Sequence, residues 1–291
     1  MEAEVESGIV VRNSKWSKVR RAINENIQLK IGLILLTIII SVAIFAPFIA
    51  THNPYAVSNN MVSSPSLQNY LGTDGLGRDL FSGIVYGART SLIIGILAAL
   101  ISAIIGTFIG GIAGYFKGKV DTVLNEVINI FLMIPTFFLI LLTIALFGSS
   151  MFNMIIVIGV TMWTGNARLM RAQALSIRER TFISSLEVTG FNKSRILVKN
   201  VIPNGIFPII ANTTMNISAA ILTEAGLSFL GLGDPNVVSW GQMVYEGRTY
   251  LASGWWISTF SGMAIVITVL AFYLVGDGLN KVLSPKLKLN R

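Results

Sequence analysis

Apolar and polar positions alternate along this chain in blocks, and the apolar blocks are long enough to cross a lipid bilayer. Ile31 to Ala50 carries no charged residue, and about 20 residues rising 1.5 Å each cover the roughly 30 Å hydrocarbon core. Ser91 to Phe116 forms a second such block. Val127 to Ala167 is also free of charge but too long for one crossing, and Gly148-Ser149-Ser150 with Asn153 divides it into a third and a fourth span joined by a tight turn. Gly205 to Thr223 supplies a fifth span and Thr259 to Val275 a sixth. The pattern predicts an all-α, polytopic membrane protein with six transmembrane helices.

The polar blocks then divide the chain. Residues 1–30 form a basic tail, 31–50 the first transmembrane helix, 51–88 an extracellular loop, 89–280 a core holding spans two to six, and 281–291 a short basic tail. On this scheme 19 of the 22 Lys and Arg residues fall on one side, leaving Arg78, Arg89 and Arg248 on the other. The positive-inside rule therefore predicts that both termini and the segment 178–204 face the cytoplasm of a cell membrane. A basic leader of this length and an apolar run of 20 residues do not suit a signal peptide.

Composition agrees with a lipid-embedded chain: 53% of residues are hydrophobic and 12% charged, where soluble domains carry about 25% charge. Without cysteine there is no disulfide framework, thiol catalysis or thiolate metal site. His52 is the single histidine, so a paired-histidine zinc site is excluded and no metal ligand set is expected. The net charge of +8 lies in short segments flanking the spans, which points to membrane orientation and lipid rather than nucleic acid.

Gly106, Gly110 and Gly114 recur every four residues on one helix face, where they allow a second helix to approach the backbone; a hinge is the alternative reading. Gly118-Lys119 is not a nucleotide loop, because Val120 replaces the required Ser or Thr and Ala113 the first Gly. The fifth span is unlike the others in carrying Asn212, Thr213, Thr214, Asn216 and Ser218, with Glu224 beyond its outer end. Polar groups in hydrocarbon must face partners or water, so Asn212, Thr213, Asn216 and Glu224 either bond between helices or line a substrate path.

Arg178 to Asn204 is a polar island between spans. Phe182, Ile183 and Leu186 sit at helical spacing among Arg178, Glu179, Arg180 and Glu187, predicting a short amphipathic helix closed by Gly190. Asn192-Lys193-Ser194 supplies turn residues and an N-cap for a second helix, Arg195 to Ile202, which Pro203 ends or kinks. Such a helix-turn-helix can either press into a groove on another protein or lie along the lipid surface.

Gly190 followed by Ile202-Pro203-Asn204 resembles the coupling loop of ABC-importer permeases, whose usual form is Glu-Ala-Ala, three residues, Gly, and later a hydrophobic-Pro-Asn ending. Here Ser184-Ser185-Leu186 stands in place of Glu-Ala-Ala and Asn200 in place of a common His, with Glu187 available about one turn on. Leu71-Gly72-Thr73-Asp74-Gly75-Leu76-Gly77-Arg78-Asp79, Tyr86-Gly87-Ala88-Arg89-Thr90-Ser91-Leu92, and the run from Thr223 to Gly233 with Ser239-Trp240-Gly241 resemble the C component of the oligopeptide, dipeptide and nickel subfamily.

The resemblance implies an ABC type I importer permease fold and a heterodimer with a second permease. It also implies two ABC ATPase subunits below the permeases, with the coupling loop in a cleft of the ATP-hydrolysing subunit, and an extracellular substrate-binding protein. Short peptides are the implied cargo, with nickel, metal chelates or oligosaccharides as alternatives. This chain would bind no cofactor, ATP and Mg²⁺ belonging to the ATPases. Two rivals lack support: an intramembrane enzyme would need a nucleophile elbow, a histidine pair or a carboxylate pair, and an ATPase-independent channel or carrier would commonly show ionisable residues deep in several spans.

Overall fold

The computed structural model describes residues 26–283; the N-terminal tail to residue 25 and the C-terminal tail from residue 284 lie outside them. Helix α1 (Ile27–Ile44) starts at Asn26, whose side-chain oxygen accepts from the N–H groups of Gln28 at 3.1 Å and Leu29 at 3.2 Å. After the short α2 (Ala46–Ile49), residues 50–79 run as an ordered loop into α3 (Leu80–Phe116). Helix α3 has 37 residues, about 55 Å at 1.5 Å per residue, so it projects well beyond one face of a bilayer. It begins eleven residues before the Ser91 boundary expected from hydropathy. Asp79 explains the difference, because its carboxylate caps the helix through the Ser82 N–H at 2.8 Å.

Lys117 and Gly118, both at positive φ, turn the chain into α4 (Gly118–Met133). Helix α5 (Thr136–Phe147) follows at an angle of 79° to it. The bend originates at Pro135: its ring excludes the preceding Ile134 from helical geometry, and Ile134 is extended at φ −85°, ψ 124°. Gly148, Ser150 and Asn153 then build the tight turn, with Ser150 Oγ accepting the Asn153 N–H at 3.2 Å and the Asn153 amide donating to the Phe147 carbonyl at 2.9 Å. Helices α6 (Met151–Thr161) and α7 (Trp163–Arg178) meet at a break at Met162.

Next come α8 (Thr181–Val188), α9 (Lys193–Ile196), a π turn (Leu197–Val201), α10 (Ile202–Leu227) and a second π turn (Ser228–Leu232). Helices α11 (Trp240–Gly247) and α12 (Trp255–Leu283) complete the chain. Among the described residues the only β pairing is an isolated bridge between Thr73 and Asp79.

Four helices are long and apolar enough to cross a membrane, and the bent α4–α5 pair makes a fifth candidate. The count of six spans is not confirmed by length and composition. The third expected span is broken at Pro135, and the 12 residues of α5 reach only about 18 Å. The fourth is the α6–α7 pair, of 11 and 16 residues, neither long enough alone to cross a membrane. The second coupling helix also departs from expectation: it does not end at Pro203 but runs on, so that Lys193–Leu232 is one helical run of 40 residues. The π turn absorbs the proline. Ile202 N–H bonds to the Leu197 carbonyl five residues back, and Asn204 Nδ2 donates to the Asn200 carbonyl at 2.6 Å.

Helix α3 is the spine, packed by α6, α7 and α10, while α12 packs between α10 and α1. Its glycines face α7 with no room to spare. A Cβ at Gly106 would lie 2.6 Å from the Trp163 carbonyl, at Gly110 2.1 Å from the Ala167 carbonyl, and at Gly114 2.4 Å from the Arg171 carbonyl. Gly95 makes the same close approach to Ile221 on α10, and Gly32 on α1 to Leu274 and Val275 on α12. Lipid tails give no hydrophobic drive for helix association, so these small-residue seams supply the packing that holds the bundle. Replacing Gly110 by Val should lower the midpoint of thermal aggregation by several degrees, since overpacking against backbone costs about 1–3 kcal/mol or more; size-exclusion chromatography of heated samples measures it.

Candidate coupling knob and its link to the far end

One end of the bundle, the basic end, carries Lys117, Glu179 and the α8–α9 hairpin; the other, the loop end, carries residues 51–79 and α11. At the basic end α8 packs through Ile183, and the run Lys193–Val201 through Ile196, Leu197 and Val201, all buried with Tyr115, Met170, Ala174 and Ile177. Full burial of one such isoleucine contributes roughly 1.5–3 kcal/mol. The exposed Lys117–Glu179 pair is screened by water and adds far less. Apolar anchoring, not surface charge, seats the knob.

The turn between the two helices is a Schellman motif. Gly190 has φ +82°, its N–H donates to the Glu187 carbonyl at 3.1 Å, and the Phe191 N–H donates to the Leu186 carbonyl at 3.1 Å. A Cβ at Gly190 would meet nothing within 4 Å, so the requirement for glycine is conformational. Asn192 caps the following helix by accepting the Ser194 N–H at 2.8 Å. Phe182, Ser184, Ser185, Val188, Gly190, Phe191, Pro203 and Asn204 remain exposed, while Leu186, Glu187 and Asn200 are half-buried. Glu187 is already engaged within the chain, accepting the Tyr115 hydroxyl at 2.8 Å.

Behind the knob, Arg171 grips Asp121 on α4 with two parallel hydrogen bonds of 2.6 and 2.8 Å, the strong fork geometry of guanidinium and carboxylate. Arg178 donates to the Tyr115 carbonyl and stands 5.8 Å from the centre of its ring. Tyr115, Asp121 and Arg171 thus fix α3, α4 and α7 together beneath the knob. The sequence pattern marks none of the three.

Along α10 the expected polar residues separate. Asn212 donates to Asn166 Oδ1 at 2.9 Å; Asn166 is fully buried and donates to Ser102 Oγ at 3.4 Å, which donates to the Met162 carbonyl at 2.9 Å. This chain of bonds joins α10, α7 and α3 at one level. Thr213 turns its hydroxyl back to the Ile209 carbonyl at 2.7 Å, and Asn216, one turn beyond Asn212, is half-buried. Glu224 is not on an open path: it is 2% exposed, and its Oε1 accepts both Ser228 and Ser239 hydroxyls at 2.8 Å. Ser239 also caps α11 through the Gln242 N–H.

From there Glu246 on α11 pairs with Arg78, and Arg78 Nε meets Asp74 at 2.5 Å. Glu224 therefore ties the far end of α10, through α11, to the ordered loop. Trp240 and Trp256 are buried; their indole N–H groups donate to the Ile84 carbonyl at 2.9 Å and the Thr73 carbonyl at 3.2 Å. Asn166 could have been found, as a polar residue inside a charge-free run. Glu246 carries no such signal.

The architecture defines a class: a helical, multi-pass membrane protein with an exposed, apolar-seated knob at one end and a rigid ordered loop at the other. Residues 106–289 match the family described as binding-protein-dependent transport system inner membrane component, and the chain belongs to that family. Residues 14–70 match the N-terminal transmembrane domain of oligopeptide transport permease C.

Among curated proteins the chain is 37% identical to the dipeptide transport system permease protein DppC of Alkalihalophilus pseudofirmus, covering 94% of this chain and 91% of the relative. It is 40% identical to DppC of Escherichia coli K12, covering 89% of each. It is 34% identical to the oligopeptide transport system permease protein OppC of Bacillus subtilis, covering 94% and 91%. Among solved structures it resembles an inward-facing conformation of the MetNI methionine ABC transporter, with TM-score 0.56 and 19% identity over 69% of this chain and 96% of that one. That likeness establishes the fold, the ABC type I importer permease fold.

Gly190→Pro removes both the positive φ and the N–H donor to Glu187 while leaving the buried anchors untouched. The variant should insert and purify normally yet lose most of any activity transmitted through the knob, at least tenfold, measured as transport-coupled ATP turnover of the assembled complex.

A pH dependence follows from Asp79. Burial alone would raise its carboxyl, but hydrogen bonds from the Asn69 amide, the Ser82 hydroxyl and N–H, and the Thr51 hydroxyl outweigh this and hold it below the ordinary carboxylate value. A depressed folded value means that the stabilisation is complete above the unfolded value near 3.9 and disappears as pH falls through the folded one. Thermal scans should show stability dropping below about pH 4, and Asp79→Asn, already weaker at neutral pH, should show a smaller acid loss.

Proposed function

We propose that this chain is one of two permease halves of an ATP-driven importer that moves short peptides across the cytoplasmic membrane. The knob around Gly190 is the surface that one of two partner ATPases grips, with Phe182, Ser184, Ser185, Leu186, Pro203 and Asn204 on or beside the contact. Val188 and Phe191, both exposed, extend its apolar part. ATP and Mg²⁺ reside on those ATPases, and an extracellular binding protein delivers cargo to the loop end. Both termini and the knob lie in the cytoplasm, in keeping with the distribution of Lys and Arg.

The observation that carries this reading is the pairing of an exposed, conformationally fixed knob with relatives named as dipeptide and oligopeptide permeases over about nine-tenths of the chain. Closure of the ATPases displaces the knob, and the 40-residue helical run from Lys193 to Leu232 carries that displacement to the loop end. The two permease halves then alternate the access of a central path.

Reconstituting the chain with its genomic neighbours into proteoliposomes tests the proposal. Loaded binding protein should raise ATP turnover several-fold and a radiolabelled tripeptide should accumulate inside; uptake that persists without the ATPases would overturn it.

A further inference from the structure

Two helical breaks, at Pro135 and Met162, meet around one open cavity. Its volume is about 340 Å³, and Thr136, Phe137, Thr161, Met162, Thr164 and Thr223 line it. The bond from Ser102 Oγ to the Met162 carbonyl fixes its depth. Ser102 lies fifteen residues before Lys117 on α3, or about 22 Å along the helix and so within the hydrocarbon layer.

Two helices begin at this cavity. Helix α5, of 12 residues, starts at Thr136, and helix α7, of 16 residues, starts at Trp163. The first N–H groups of each have no partner inside their own helix and carry the positive end of its dipole.

Side chains give a second, independent indication. Thr161 and Thr223 return their hydroxyls to the Val157 and Ala219 carbonyls at 2.8 Å. Thr164 does not: it is 8% exposed, lines the cavity, and its hydroxyl makes no hydrogen bond among the described residues. Thr136, on the opposite break, is likewise without a partner among them. A hydroxyl of a buried residue that opens unpaired onto the cavity beside two helix starts is a set of donors lacking an acceptor. No charged residue lines the space; Glu224, next to Thr223, bonds Ser228 and Ser239 through Oε1 alone, and its Oε2 has no partner among the described residues.

We infer that the cavity between the starts of α5 and α7 is a way-station for the terminal carboxylate of the travelling peptide, held by backbone N–H groups and the hydroxyls of Thr164 and Thr136. The inference rests on the peptide-import reading above and adds which group of the cargo is recognised. Neutral donors suit a site that must release what it holds, since a lysine or arginine in hydrocarbon would bind a carboxylate too tightly to pass it on. The volume is near the lower limit of ligand pockets, about 300 Å³, which fits the end of a peptide and not its length.

The test compares uptake of trialanine with uptake of trialanine amide by the reconstituted complex, using one binding protein throughout so that its own preference cancels between variants. Thr164→Val should lower the acid-to-amide ratio of uptake rates by about tenfold relative to the unaltered complex, and Thr164→Ser should keep it. Equal effects of Thr164→Val on acid and amide, or none on either, would overturn the way-station while leaving peptide import intact. Failure of the unaltered complex to take up either form would instead overturn the import reading, and the way-station with it. If Thr164→Val does not assemble, Thr136→Val at the exposed opposite wall is read by the same ratio, and an unchanged ratio there rejects the proposal.

Discussion

The close approach of α3 to α7 is the constraint on which the other contacts depend. Three glycines, four residues apart, bring two helix backbones together so closely that no side chain fits between them. In a solvent as apolar as the side chains themselves, this packing and a few buried polar bonds are the available sources of cohesion. The seam also sets the height of everything attached to α7. It places Met162 beside Ser102, Asn166 where it reaches Asn212, and Arg171 where it meets Asp121.

Polar bonds then act at selected levels and not uniformly. At the basic end the fork between Arg171 and Asp121 and the hydroxyl of Tyr115 on Glu187 hold three helices under the knob. At mid-depth the Asn212–Asn166–Ser102 chain crosses three helices. At the loop end Glu224, Ser239, Glu246 and Arg78 connect α10 to an ordered loop that has almost no regular structure.

Much of this was legible in the sequence, and the failures have physical causes. Gly190 and Asn192 were readable because each has a local duty, a positive φ and an N-cap, that needs no tertiary partner. The turn at Gly148 was readable for the same reason. Hydropathy misplaced the spans because it reports average polarity and not continuity. It cannot see that Pro135 forces Ile134 out of helical geometry and bends the run by 79°, or that Asp79 starts α3 before the apolar run begins. Pro203 misled in the opposite sense, since a π turn relieves it. Glu224 left two readings open in the sequence, because its two serine partners lie four and fifteen positions on and meet it only in the fold.

The helical run from Lys193 to Leu232 has a mechanical property that its length alone does not reveal. Its α-helical stretch from Ile202 to Leu227 has 26 residues, about 39 Å, and Asn212, pinned to Asn166, stands near its middle. On the import reading proposed above, a helix held there works as a seesaw: travel imposed at the basic end reappears at the loop end in the opposite sense.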